Sequence, residues 1–149
     1  MKRLVRQEGA QGLVEFALVV PMLFILVFGI IDFGNALKSY ITTSSAAREA
    51  SRYASIGNAA TSSGYVLCNS SPTNAVVQKA CGTMGELNSA YASVKVECNS
   101  TCTSGQTATV TTKYQYYYIT PIKRLVSFFT AGALPSYLTI TTSTSMRIE

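Results

Sequence analysis

The chain has no histidine and no tryptophan, and 13% of its 149 residues are charged. Without His there is no Ser-His-Asp or Cys-His nucleophile and no catalytic zinc site of the usual kind. The charged fraction is about half the ~25% of an ordinary soluble domain. Serine and threonine are missing from the first 38 residues, all 34 of them lying at or beyond Ser39. Basic clusters are missing after the N-terminus. The net charge of +5 and pI of 9.1 draw on scattered residues such as Lys79, Lys95, Lys113, Lys123 and Arg147. Nucleic-acid binding usually needs a clustered basic face, so no such partner is expected. A hydrolase would need a base other than His, and the few later carboxylates show no paired arrangement. No catalytic residue, cofactor or metal set is expected.

What is present is one long apolar run. Leu13 to Ile31 holds nineteen residues with a single charge, Glu15. At the helical rise it spans about 28 Å, close to the hydrocarbon thickness of a bilayer. It has no polar face, and the chain behind it is too small to wrap a buried helix of this kind. A cleaved secretory signal is a second possibility. Its basic flank exists, but the run exceeds the usual ~7–15 residues and no small-x-small cleavage site follows. A retained span is the expectation.

Lys2, Arg3 and Arg6 precede the run, while Asp32 follows it at once and the next base is Lys38. By the positive-inside rule the N-terminus is then cytoplasmic and the bulk of the chain external. Cys68, Cys81, Cys98 and Cys102 all fall on the external side, an even number suited to an oxidising space. Their spacings match no common zinc ribbon or finger. Disulfides are expected, with the local pairing Cys68–Cys81 and Cys98–Cys102 preferred among three connectivities. Glu15 is the outlier. A carboxylate in a span costs a few kcal/mol and is usually paired or functional, unless it snorkels to the headgroups or is protonated.

The string Gln11-Gly12-Leu13-Val14-Glu15-Phe16-Ala17-Leu18-Val19-Val20-Pro21, with Phe28-Gly29-Ile30-Ile31-Asp32-Phe33-Gly34, resembles the opening of TadE-like proteins. These are minor pilin-like proteins (pseudopilins) of the bacterial Tad/Flp pilus machinery. Ala46-Ala47-Arg48-Glu49-Ala50 with Arg52, and the Thr-rich ending into Met146-Arg147-Ile148-Glu149, are similar too. The resemblance covers residues 8–53 and, more weakly, the end. It implies cleavage by a prepilin peptidase that leaves Glu at mature position five. Counting back from Glu15, the cut falls between Ala10 and Gln11, where the family usually has Gly before the bond. A cut after Gly9 would make Glu15 the sixth residue, and absence of cleavage stays open. Partners implied are the lipid bilayer, other pilin-like subunits, Tad pilus assembly proteins and the prepilin peptidase. In an assembled bundle, Glu15 of one subunit would pair with the new ammonium of a neighbour and fix the axial register.

Beyond the span the helical pattern continues. Phe33, Leu37, Tyr40 and Ile41 form an apolar stripe that Ala47, Ala50 and Ala54 prolong, with a stop at Gly57-Asn58. Pro21 is expected to kink or locally melt this helix. Residues 57–92 read as loops around a short helix from Asn74 to Cys81. Alternation predicts strands over 94–97, 107–114 and 138–146, with Gly105 in a hairpin turn. The tyrosines of 114–118 suit sheet packing better than a stacking platform for bases or sugars. Thr120 and Pro121 read as cap and first residue of an amphipathic helix carrying Ile122, Leu125, Phe128 and Phe129 on one face. It would pack on the sheet, or lie at the membrane interface or on a neighbour.

The expected architecture is α+β and type IV pilin-like, with a transmembrane helix continuing into a small external domain with an antiparallel sheet. Its divisions are a basic leader over 1–10, the helix over 11–56 and the disulfide-tied domain over 57–149. The expected role is structural and non-catalytic, in a bacterial cytoplasmic membrane. The rival is an uncleaved single-span anchor presenting an external binding module.

Overall fold

The computed structural model describes residues 5–99, 101–129 and 134–149. Lys2 and Arg3 of the leader lie outside the described residues, as do the side chains of Arg6, Ala10, Phe128 and Phe129. The chain divides into two compact units, residues 1–35 with 118–136 and residues 36–117 with 137–149. The long helix contributes residues to both units, and the segment 118–136 falls in the first.

Helix α1 runs from Val5 to Tyr53, 49 residues, and continues through Pro21 without the local melting expected there. One wide turn, Ala54–Asn58, ends it with Gly57 at φ +87°. A left-handed residue at that position suits glycine, which has no Cβ to clash with the following carbonyl.

In the larger unit, strands β1 (Val66–Leu67), β2 (Ala92–Cys98), β3 (Thr107–Tyr117) and β4 (Tyr137–Arg147) form one antiparallel sheet in sequential order. Val96 pairs with Val110, and Val110 with Thr144. The β2–β3 connection turns at Gly105, φ +88°. Alternation is strict on β3, where Ala108, Val110, Thr112, Tyr114 and Tyr116 are buried and their neighbours are not. On β4 Ile140 is buried, whereas Leu138, expected on the same face, stays exposed. Helix α2 (Ala75–Thr83) packs against β2 through Val76, Val77 and Ala80. Asn74 caps it, its side-chain oxygen accepting from the amides of Val76 and Val77 at 3.0 and 3.3 Å.

The segment of α1 in this unit buries small side chains: Thr43, Ala46, Ala47, Ala50, Ser51 and Ala54 are fully buried. The large stripe behaves differently, for Phe33, Leu37, Tyr40 and Ile41 all remain exposed. The strands supply the bulk of the core through valines and tyrosines, so close packing leaves room for little more than methyl and hydroxymethyl groups on the helix. A polar bond crosses between helix and sheet. The Thr112 hydroxyl points at the carbonyls of Thr43 (3.1 Å) and Thr142 (3.2 Å).

Strand β1 was not expected, and Ser62 extends its edge of the sheet. Ser62 donates its amide to the Val96 carbonyl and accepts the Val96 amide on its hydroxyl, both at 2.9 Å. Disulfides join Cys68 to Cys81 and Cys98 to Cys102, and no cysteine is free. The first ties the segment after β1 to α2, and the second closes the β2–β3 connection.

Candidate functional site

Gly9, Ala10 and Gln11 lie within the helical backbone at the start of α1. Glu15 sits four residues beyond Gln11, about 6 Å along the axis. Its carboxylate is exposed and makes no ion pair or hydrogen bond among the described residues. Around and beyond it Leu13, Val14, Phe16, Leu18, Met22 and Leu23 are exposed as well. The most apolar window of this helix has mean hydropathy 2.7, and none of it is buried within the chain. The helix is thus long and apolar enough to cross a membrane. Such a surface calls for lipid or neighbouring helices, and Glu15 is its one charge.

At the far end of the apolar run stands Asp32. It is 5% exposed. Its carboxylate accepts the amide of Ile119 at 2.9 Å and that of Thr120 at 3.4 Å, and the Thr120 hydroxyl donates to its other oxygen. Thr120 therefore spends its side chain on Asp32 and does not cap the next helix. Instead the carbonyl of Pro121 accepts from the amides of Arg124 and Leu125 at 3.0 and 3.3 Å. Helix α3 (Ile122–Phe129) groups with the span, not with the sheet. A methyl group placed on Gly29 would touch Ile122 Cδ1 at 3.8 Å. A signal for the Asp32 link existed in the sequence, a lone acid ending an apolar run, whereas Thr120 reads there as a helix cap.

The four cysteines belong to the sheet-bearing unit. Of the tyrosines in 114–118, Tyr114 and Tyr116 enter the core, while Tyr117 packs outside between Tyr91 and Tyr137, with ring centroids 4.5 and 5.6 Å away. On the same outward face, Lys95 and Lys113 lie 5.9 and 5.5 Å from the Tyr65 ring centroid. Lys95 also pairs with Glu97 at 2.7 Å. That hydrogen bond holds the Lys95 pKa above its ordinary value, against the smaller opposing effect of burial.

Comparison with known proteins adds one match. The family model described as TadE-like protein matches residues 10–52, the stretch that holds Gln11, Glu15 and Asp32 and ends one residue before α1 does. No curated protein and no solved structure matches the chain. The family that the opening of the sequence resembles is thus the one its long helix matches, TadE-like protein.

Proposed function

We propose that this chain is a minor pilin-like membrane protein that takes part in assembling a Tad/Flp-type pilus, with a structural and non-catalytic role. The match to the TadE-like family supports a Tad-pilus-related protein at the coarse level. The finer reading rests on one observation: a single exposed carboxylate, Glu15, four residues from Gln11 in a stretch of helix, residues 13–31, otherwise clad in apolar side chains. A prepilin peptidase cutting between Ala10 and Gln11 creates an ammonium at the membrane boundary. Glu15 of one subunit then neutralises the new terminus of a neighbour. Neither charge is favourable in that setting alone, so their pairing sets the stagger of adjacent helices at about one turn. The basic leader keeps the N-terminus cytoplasmic, and the disulfide-tied sheet domain stands outside the cytoplasmic membrane.

The test is mass spectrometry of the membrane-extracted protein from cells with a working prepilin peptidase, in wild type and in Glu15→Gln. The mature wild-type chain should begin Gln-Gly-Leu-Val-Glu. Glu15→Gln should insert and be cleaved, but lose co-recovery with pili by a margin on the order of 3–5 kcal/mol for a fully buried pair. Normal co-recovery of the mutant would remove the register role. Retention of Met1 or Lys2 in wild type would replace the pseudopilin reading with the uncleaved anchor.

A further inference from the structure

The surface between α1 and α3 is built unlike the rest of the span. Phe24, Phe28, Pro121, Arg124 and Leu125 line an open groove of about 490 Å³. Four of the five are apolar and the fifth is an exposed guanidinium. Arg124 has no carboxylate partner among the described residues, and the neighbouring Lys123 reaches only the Ser136 hydroxyl, at 3.4 Å. Arg124, without a carboxylate partner among the described residues, therefore lines an apolar trough, with a second cation, Lys123, next to it in the chain.

Depth decides what that trough meets. The apolar run ends at Ile31, and Asp32 clasps the backbone of Ile119 and Thr120 at that level. Gly29, which faces Ile122, lies about 3 Å inside the end of the run, and Phe24 about 10 Å inside. An amphipathic helix resting in a bilayer interface buries its apolar face roughly 5–10 Å into the headgroup and acyl boundary. Helix α3 is held at that depth. Its cations then fall where lipid phosphates lie, and its apolar side continues the lipid-facing surface of α1.

We propose that α3 is a second membrane-contacting element at the Asp32 end of the span. Its groove seats an anionic phospholipid, with an acyl chain along Phe24, Phe28 and Leu125 and the phosphate on Arg124 and Lys123. Lipid is favoured over a second protein copy because the trough is continuous with the span's exposed surface and its charges complement a phosphate. The proposal rests on α1 crossing a bilayer, and the experiment separates the two.

Because the chain has no tryptophan, a single introduced one reports its own surroundings. Full-length Leu125→Trp is reconstituted in phosphatidylcholine vesicles containing brominated phosphatidylglycerol or, at equal mole fraction, brominated phosphatidylcholine. Blue-shifted emission is expected, with stronger quenching by the anionic lipid. Local enrichment of that lipid should be about fivefold for each basic side chain near the surface. Adding Lys123→Gln and Arg124→Gln should bring the two quenchers level. Ser127→Trp, at an exposed position of α3, is a second probe for which shallower quenching is expected. Leu18→Trp reads the span itself, so loss of its quenching would indict the membrane crossing and not α3. With Leu18→Trp quenched, water-like emission and acrylamide access at both α3 probes would overturn the proposal. Blue-shifted emission that neither lipid quenches would overturn it in favour of a protein neighbour. Equal quenching by both lipids before the charges are removed would overturn the phosphate contact.

Discussion

Replacing Asp32 with alanine should release the segment before α3 from α1 while leaving the sheet intact. The carboxylate takes the Ile119 amide at 2.9 Å, the Thr120 hydroxyl, and more weakly the Thr120 amide at 3.4 Å. Hydrogen bonds to a charged acceptor contribute about 1.5–3 kcal/mol each, and a bond near 3.4 Å contributes little. Two good bonds give roughly 3–6 kcal/mol, reduced where the freed groups regain water. A net loss of about 3 kcal/mol corresponds to ~100-fold more frequent opening. Asp32→Asn keeps an oxygen for the amides and turns the other atom into a donor that the Thr120 hydroxyl can accept, so its loss should be about 1 kcal/mol, or roughly fivefold. Hydrogen exchange of peptides covering 118–129, in detergent micelles, reads this directly, with peptides from β2 and β3 as reference. The expected order of exchange is wild type, then Asn, then Ala. Alanine exchanging as slowly as wild type would refute the clasp, and equal acceleration in β3 would show that Asp32 supports the whole fold instead.

Other consequences are simpler to read. Alkylation of denatured, unreduced protein should find no free thiol. Replacing Cys68 and Cys81 together by alanine should cost about 3 kcal/mol in a urea titration, against about 2 for Cys98 and Cys102, because the first pair is 13 residues apart and the second 4. The Thr142 hydroxyl is buried without a hydrogen-bond partner, so Thr142→Val should stabilise by about 1 kcal/mol. Thr112→Val should destabilise by a similar amount, since it removes the helix-to-sheet bond. For Lys95, an ammonium whose pKa is raised by Glu97, the stabilising effect is complete at pH below the ordinary lysine range. It disappears as pH rises through the raised value, and Glu97→Gln should lower that value in an NMR titration.

The long helix was legible because nineteen nearly uncharged residues leave one plausible structure. The same contrast made Glu15 visible, a single carboxylate in that run. Alternation exposed β3 and β4, and the short helix expected from Asn74 to Cys81 is α2, which runs Ala75–Thr83 with Asn74 just outside it as the cap. Two kinds of feature were not legible. The two residues of β1 are too few to show a period, and Ser62 joins the sheet edge through its hydroxyl, which no pattern encodes. The expected stripe on α1 holds in its alanine half, where Ala47, Ala50 and Ala54 are buried, but Phe33, Leu37, Tyr40 and Ile41 stay exposed. The strands fill the core and leave room only for small side chains on the helix. The Asp32 clasp joins groups 87 positions apart. Nothing local in either segment specifies the other, although both carried residues without an obvious task.

Helix α1 obeys two grammars along one axis, and this bears on how such chains can diverge. Over 13–31 a substitution needs only to stay apolar, so Leu, Ile, Val and Phe are near-synonyms wherever the side chain faces outward. Over 43–54 the vocabulary is limited by volume, and a single Ala47→Leu would force the sheet apart at a cost of about 1–3 kcal/mol. The strands answer to a looser rule, since their core positions tolerate exchange among residues of similar size. A recognisable signature should therefore persist in the helix long after the sheet has drifted. The family match stops at residue 52, one position short of the end of α1. On this physical argument the helix pattern should be the slower of the two to change, and the sheet core the faster.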